Sequence, residues 1–178
     1  VKMVSENLGG CHWWMHNDDS ALHIKRYHHN PRYLSSVGFQ PGSVHVYTDV
    51  NVAAANADIV IFAVPSAFVK EVLEGLADGA LAGKLVCSTI KGIIPDENMI
   101  VGEYLREVVG VPEENIVVIT GPCHAEEIAL ERLSFLTVAA KEKVVAEHVA
   151  GVLKNHYMRC TLSTDIYGTE YAAVMKNI

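Results

Sequence analysis

The chain has 178 residues, half of them hydrophobic and a fifth charged, which suits one folded domain with a sizeable core; two full domains would need more at roughly 100 to 200 residues each. Fourteen Lys and Arg against 21 Asp and Glu give a net charge of −7, so no basic face for nucleic acid or an anionic membrane is expected. The longest apolar runs, such as residues 59–64, are far below the roughly 20 residues that cross a bilayer, and no charged-then-apolar leader opens the sequence; the expectation is a soluble, cytoplasmic protein.

Residues 1–8 carry Val1, Val4 and Leu8 at helical spacing and run into Gly9-Gly10, a C-terminal cap, while nothing ahead of Val1 caps a start. Short apolar runs at residues 11–15, 44–47, 59–64, 85–90, 116–119, 135–139 and 158–162 then read as strands, most of them buried on both faces. Stretches of helical periodicity separate them, at residues 18–28, 50–57, 67–77, 98–109, 124–131 and 141–155. The one long loop is 29–43, with Pro31, Gly38, Pro41 and Gly42, and residues 167–178 form a last helix without a stop signal. Strand and helix in alternation predict an α/β domain, a doubly wound and mainly parallel sheet, which binds ligands at the carboxyl ends of its strands.

Those strand ends hold the unusual residues. Strand 59–64 runs into Pro65-Ser66-Ala67-Phe68, where Pro65 stops the ladder and opens the next helix; the same turn lets Phe68 lie over a flat ring. Strand 85–90 is followed by Lys91-Gly92, a cation at a buried strand's tip beside the residue most tolerant of unusual φ. Strand 116–119 ends in Thr120-Gly121-Pro122-Cys123-His124-Ala125, and the free amides of the following helix favour an anion or a carbonyl oxygen unless Glu126 and Glu127 satisfy them. Cys11, Cys87, Cys123 and Cys160 lie dozens of residues apart without a CxxC pair, so reduced thiols are expected, with no metal site and no base partner that would make Cys123 a nucleophile.

The segments WWMHN, NPRYL, AVPSAF, STIKGI, ITGPCHAEE and DIYGTEYAAVMKNI, in that order and at successive strand ends, resemble the nucleotide-binding domain of the bacterial NAD(P)-dependent glycerol-3-phosphate dehydrogenases over the whole chain. The resemblance implies a Rossmann-like domain over residues 1–163, with residues 164–178 beginning the helix that leads into a helical substrate domain. It implies reduction of dihydroxyacetone phosphate to sn-glycerol 3-phosphate, reversibly, in supply of phospholipid synthesis, with NAD or NADP as cofactor and a homodimer as the assembly. By matching positions, Lys176 falls on the catalytic proton donor and acceptor; Lys91 contacts substrate and cofactor; Gly121 and Cys123 lie on the substrate side, where Cys123 replaces the commoner Ser; and His16, Phe68 and Ala125 lie on the cofactor side. After Met15 stands His16-Asn17 instead of the Asp or Glu that would bind a ribose 2′-hydroxyl, with Lys25 and Arg26 near by, which makes NADP as acceptable as NAD.

The resemblance also implies a first strand and glycine-rich turn ahead of Val1 and the helical domain beyond Ile178. Without them the 178 residues are expected to be inactive alone and prone to self-association. Two other readings stand beside this one: a hydroxyacid dehydrogenase of similar architecture, and a nucleotide-binding module without catalysis.

Overall fold

The computed structural model describes residues 1–176, and strand and helix alternate along most of it. Helix α1 (Lys2–Leu8) stops where Gly9 takes φ 72°, a left-handed value open to a residue without a β-carbon. Strand β1 (Cys11–Trp14) leads to α2 (Asp18–Tyr27), which is capped by the Asn17 side chain accepting from the Ser20 amide. Asp18 and Asp19 in the first turn of α2, and Lys25 and Arg26 in the last, oppose its dipole. Strand β2 (Val44–Tyr47) and α3 (Val50–Ala55) follow, with Asp49 as the cap.

Next come β3 (Ile59–Phe62), a 3₁₀ turn (Ser66–Phe68), α4 (Val69–Glu74), β4 (Leu85–Ser88) and the short strands β5 (Ile93–Ile94) and β6 (Met99–Ile100). The chain closes with α5 (Val101–Glu107), β7 (Ile116–Thr120), α6 (Ala125–Ala129), β8 (Ser134–Ala140), α7 (Lys143–Leu153), β9 (Met158–Ser163) and α8 (Ile166–Met175).

One sheet has the order β3-β4-β7-β8-β9. Its pairs are parallel except β7 with β8, which run antiparallel with Val118 opposite Ala139. Because side chains alternate along a strand, Val86, Ile116 and Val118 face one layer with Val69, Val101, Leu105 and Ile166, while Cys87, Val117 and Ile119 face another with Ala146, Val149 and Leu153. All five residues of β7 are buried, each large apolar one worth roughly 1.5–3 kcal/mol. Helix α1 is held onto the second layer by Asn7, which donates to the Val152 carbonyl at 2.7 Å, and by buried Tyr157, whose hydroxyl donates to Glu6 at 2.7 Å.

β1 and β2 pair with each other and stand apart from that sheet. Between β1 and β3 runs a groove of about 590 Å³. Val4 of α1 and Val152 of α7 line it, as do Val50 of α3 and Val72 and Leu76 from the opposite layer, and its two edges are strands whose facing backbone groups pair with no other strand among the described residues. A groove with apolar side chains on both faces and an unpaired strand edge on either side has the chemistry of a slot for a further strand.

Several element bounds differ from the sequence reading. β3 and β4 end two residues early, at Phe62 and Ser88, so Lys91 lies three residues past its strand instead of at the tip. Helix 67–77 divides into a 3₁₀ turn and α4 at Phe68, and helix 98–109 begins only at Val101 because residues 93–100 form a tight antiparallel pair turned by Asp96 and Asn98 at φ 68° and 55°. Burial on both faces holds for β7 and nearly for β4, whereas β1, β2 and β9 are partly open. Of the last predicted helix, Asn177 and Ile178 lie outside the described residues.

Candidate active site

β3, β4 and β7 are mutually parallel, so their carboxyl ends share one edge of the sheet, and the segments Pro65–Phe68, Lys91–Gly92 and Gly121–Ala125 follow directly from them. The end of β4 is tied to β3 by Thr89, whose amide and hydroxyl both donate to the Phe62 carbonyl, at 3.0 and 3.1 Å. A β-carbon on Gly92 would stand 2.9 Å from Oγ of Ser66. Glycine there lets the Lys91 loop lie against the 3₁₀ turn that carries Phe68, which is 52% exposed on the same rim. Lys70 of α4 pairs with Glu97 at 2.6 Å and anchors the β5–β6 turn behind them.

Beyond β7, Gly121 is fixed by packing. A β-carbon on it would lie 3.0 Å from Cα of Leu136, with the Phe135 carbonyl oxygen nearer still. Cys123 is half-buried, and burial raises its thiol above the ordinary range; Lys91 and Lys176 both pull it back down, while Glu127 pushes it up. Both lysines singled out in the sequence, 85 positions apart, thus act electrostatically on this one thiol of the turn after β7. A raised thiol makes Cys123 a poor nucleophile and fits a neutral contact. Ala125 begins α6 on the same turn. His16 is exposed across the groove, past the end of β1 and beside the α2 cap Asn17.

Lys176 is exposed at the C-terminal end of α8, its amide donating to the Ala172 carbonyl. Three side chains of α8 reach α5 or the segment after it: Tyr167 donates to Glu113 at 2.9 Å and meets Arg106, Tyr171 donates to Glu103 at 3.2 Å, and the Glu170 carboxylate accepts the Gly102 amide at 2.9 Å. Lys141 first, then Tyr167, hold the Glu113 carboxyl below its usual range. Glu170 escapes the sequence reading. It is fully buried, and burial pushes its carboxyl up to about 7 against the pull of the Gly102 and Val101 amides. The only hint in the sequence is a lone acid amid the apolar residues of α8. Among the described residues no three acidic, His or Cys side chains gather as a metal site, and no helix is long and apolar enough to cross a membrane.

A doubly wound α/β sheet with glycine turns, an exposed aromatic and a lysine at the carboxyl ends of its parallel strands defines a dinucleotide-binding type of domain. The family model for the N-terminus of NAD-dependent glycerol-3-phosphate dehydrogenase matches residues 1–146. The chain belongs to that family. It is 34% identical over 166 residues to glycerol-3-phosphate dehydrogenase [NAD(P)+] of Prosthecochloris aestuarii, an alignment covering 93% of this chain and 50% of that protein. The Bacillus subtilis protein of the same name is 32% identical, with 93% and 48% covered. The chain thus spans about half the length of the curated relatives it matches. Among solved structures, glycerol-3-phosphate dehydrogenase of Plasmodium falciparum shares the fold with a TM-score of 0.87 at 20% identity, over 99% of this chain and 52% of that one.

Proposed function

We propose that these residues are the cofactor-binding half of an NAD(P)-dependent oxidoreductase that reduces dihydroxyacetone phosphate to sn-glycerol 3-phosphate, reversibly and in the cytoplasm, in supply of phospholipid synthesis. The observation that carries this reading is that the turns bearing Phe68, Lys91-Gly92 and Gly121–Ala125 all follow the carboxyl ends of the parallel strands β3, β4 and β7 on one edge of the sheet. The curated relatives bear the name of that activity.

The rim fits a dinucleotide. Phe68 offers a flat apolar face and Ala125 a small residue for close approach, while Gly92 and Gly121 keep bulk out of the two turns. Residues 1–163 form the dinucleotide domain in this reading, residues 164–178 lead toward the substrate domain, and a strand in the groove between β1 and β3 completes the sheet. The cofactor, when bound, supplies the hydride. This chain's own part is at the carbonyl oxygen, where negative charge develops: Lys176 gives that oxygen a proton and takes it back in reverse, Lys91 adds a second positive charge that orients the substrate, and the Cys123 thiol stays neutral beside them. His16 with Lys25 and Arg26 stands at the adenosine end, leaving both NAD and NADP acceptable.

The test is a substrate panel with the full-length protein: dihydroxyacetone phosphate, 2-hydroxyacids and 3-hydroxyacids, each with both cofactors. Turnover confined to dihydroxyacetone phosphate and glycerol phosphate is expected. Turnover of an unphosphorylated hydroxyacid instead would replace this reading by the hydroxyacid dehydrogenase one, and cofactor binding without turnover of any would leave a nucleotide-binding module.

A further inference from the structure

Glu170 is an acid in an expensive position. It sits in the middle of α8 with no exposed surface, Oε1 has no hydrogen-bond partner, and Oε2 accepts the backbone amide of Gly102 at 2.9 Å, while the neighbouring Val101 amide also draws its carboxyl down. Those amides belong to the first turn of α5, whose own cap, Ile100, offers no side-chain acceptor. The first-turn amides of a helix lack intrahelical partners and need one from elsewhere when buried; Glu170 provides it from another helix. The sequence accommodates this at Gly102, where a β-carbon would stand 2.7 Å from Oε2 and 3.7 Å from Ile166, one turn before Glu170 on the same face of α8. An apolar residue would fill this place without the burden of desolvating an acid. What the acid adds is a directional bond that sets where α8 lies on α5.

Lys176 stands six positions further along α8, about 9 Å down its axis. We propose that Glu170 is a positioning residue, which by accepting the Gly102 amide seats α8 on α5 and so fixes where Lys176, at the end of α8, stands relative to Cys123 and the Lys91 loop. The catalytic consequence rests on the role given to Lys176 above; the placement itself does not.

Cys123 is a built-in reporter of that placement, because Lys176 lowers its thiol. The experiment follows carbamidomethylation of Cys123 by peptide mass mapping in the whole chain at a fixed pH of about 8, where the rate tracks the thiolate fraction. Lys176→Ala should slow it roughly two- to four-fold, the order of size expected when one screened charge that favours the thiolate is removed. Glu170→Ala should slow it to the same extent, and the double variant no further. Glu170→Gln, which keeps an acceptor oxygen, should restore the rate. If Glu170→Ala fails to show a cooperative melt, Gly102→Ala takes its place, since its methyl must displace the same carboxylate.

A folded Glu170→Ala or Gly102→Ala variant with an unchanged Cys123 rate overturns the proposal, as does a Glu170→Gln variant as slow as Glu170→Ala, or a Lys176→Ala variant without effect. Should the thiol respond as expected while the full-length enzyme keeps its turnover in Lys176→Ala, the positioning holds and the catalytic reading fails.

Discussion

Gly121 and Leu136 approach so closely that a β-carbon on the glycine would lie 3.0 Å from Cα of its neighbour. The turn after β7 therefore presses on the backbone of β8, and the glycine that the resemblance placed on the substrate side has a structural duty as well. Gly121→Ala should destabilise by about 1–3 kcal/mol, the usual cost of overpacking, and lower the melting temperature, whereas Gly151→Ala, in a helix with open space around its Cα, should not. Equal melting of the two variants would show that the turn yields freely.

What the sequence revealed follows from how local each signal is. Helical periodicity over residues 18–28 marks α2, and the unbroken apolar run 116–119 marks a strand buried on both faces; both signals lie within one element. The antiparallel pairing of β7 with β8 is not local, because an apolar run has no direction until it meets a partner. The β5–β6 pair was hidden by its two-residue strands, and Glu170 by a helix that, read alone, has no polar face. Of the site, Lys91 stood out at the end of a buried strand, Lys176 was legible only through the resemblance, and their common influence on the Cys123 thiol needed the fold.

Glu170 makes a prediction about pH. Its carboxyl is raised from 4.5 to about 7 in the folded chain, first by burial. The folded state therefore holds a proton that the unfolded state has released between those values, and stability falls as pH rises through that window. The contribution is fully present below about pH 4.5 and lost above about 7, and a shift of that size is worth about 3 kcal/mol. Glu103, itself hydrogen-bonded by Tyr171, faces Glu170 from α5 and adds to the rise. Denaturant melts between pH 5 and 8 should show this slope in the natural sequence and lose it in Glu170→Gln. Parallel slopes in both would assign the pH dependence elsewhere.

The groove between β1 and β3 makes a binding prediction. A dye that fluoresces in apolar surroundings should bind the 178-residue chain there. An extended apolar peptide of about six residues, the length of an ordinary strand, should displace the dye and raise the melting temperature. Dye binding untouched by such a peptide would show that the groove does not accept a strand.

Cofactor choice should turn on the end of β1. His16→Asp puts a carboxylate where it accepts hydrogen bonds from a ribose diol and opposes a 2′-phosphate. Like charges about 4 Å apart cost on the order of 1 kcal/mol in water and more where solvent is partly excluded, so kcat/KM in the full-length enzyme should move about tenfold toward NADH relative to NADPH. An unaltered ratio would remove His16 from the adenosine site.

The central claim is that Lys176 moves the proton while Lys91 grips the ligands, and single substitutions in the full-length enzyme separate the two. Lys176→Ala should lower kcat for dihydroxyacetone phosphate by about 10²- to 10⁴-fold, the typical share of a positioned acid, with cofactor affinity nearly unchanged, while Lys91→Ala weakens substrate and cofactor binding together. Near-normal kcat in Lys176→Ala with only KM raised would contradict the account and make Lys176 a binding residue.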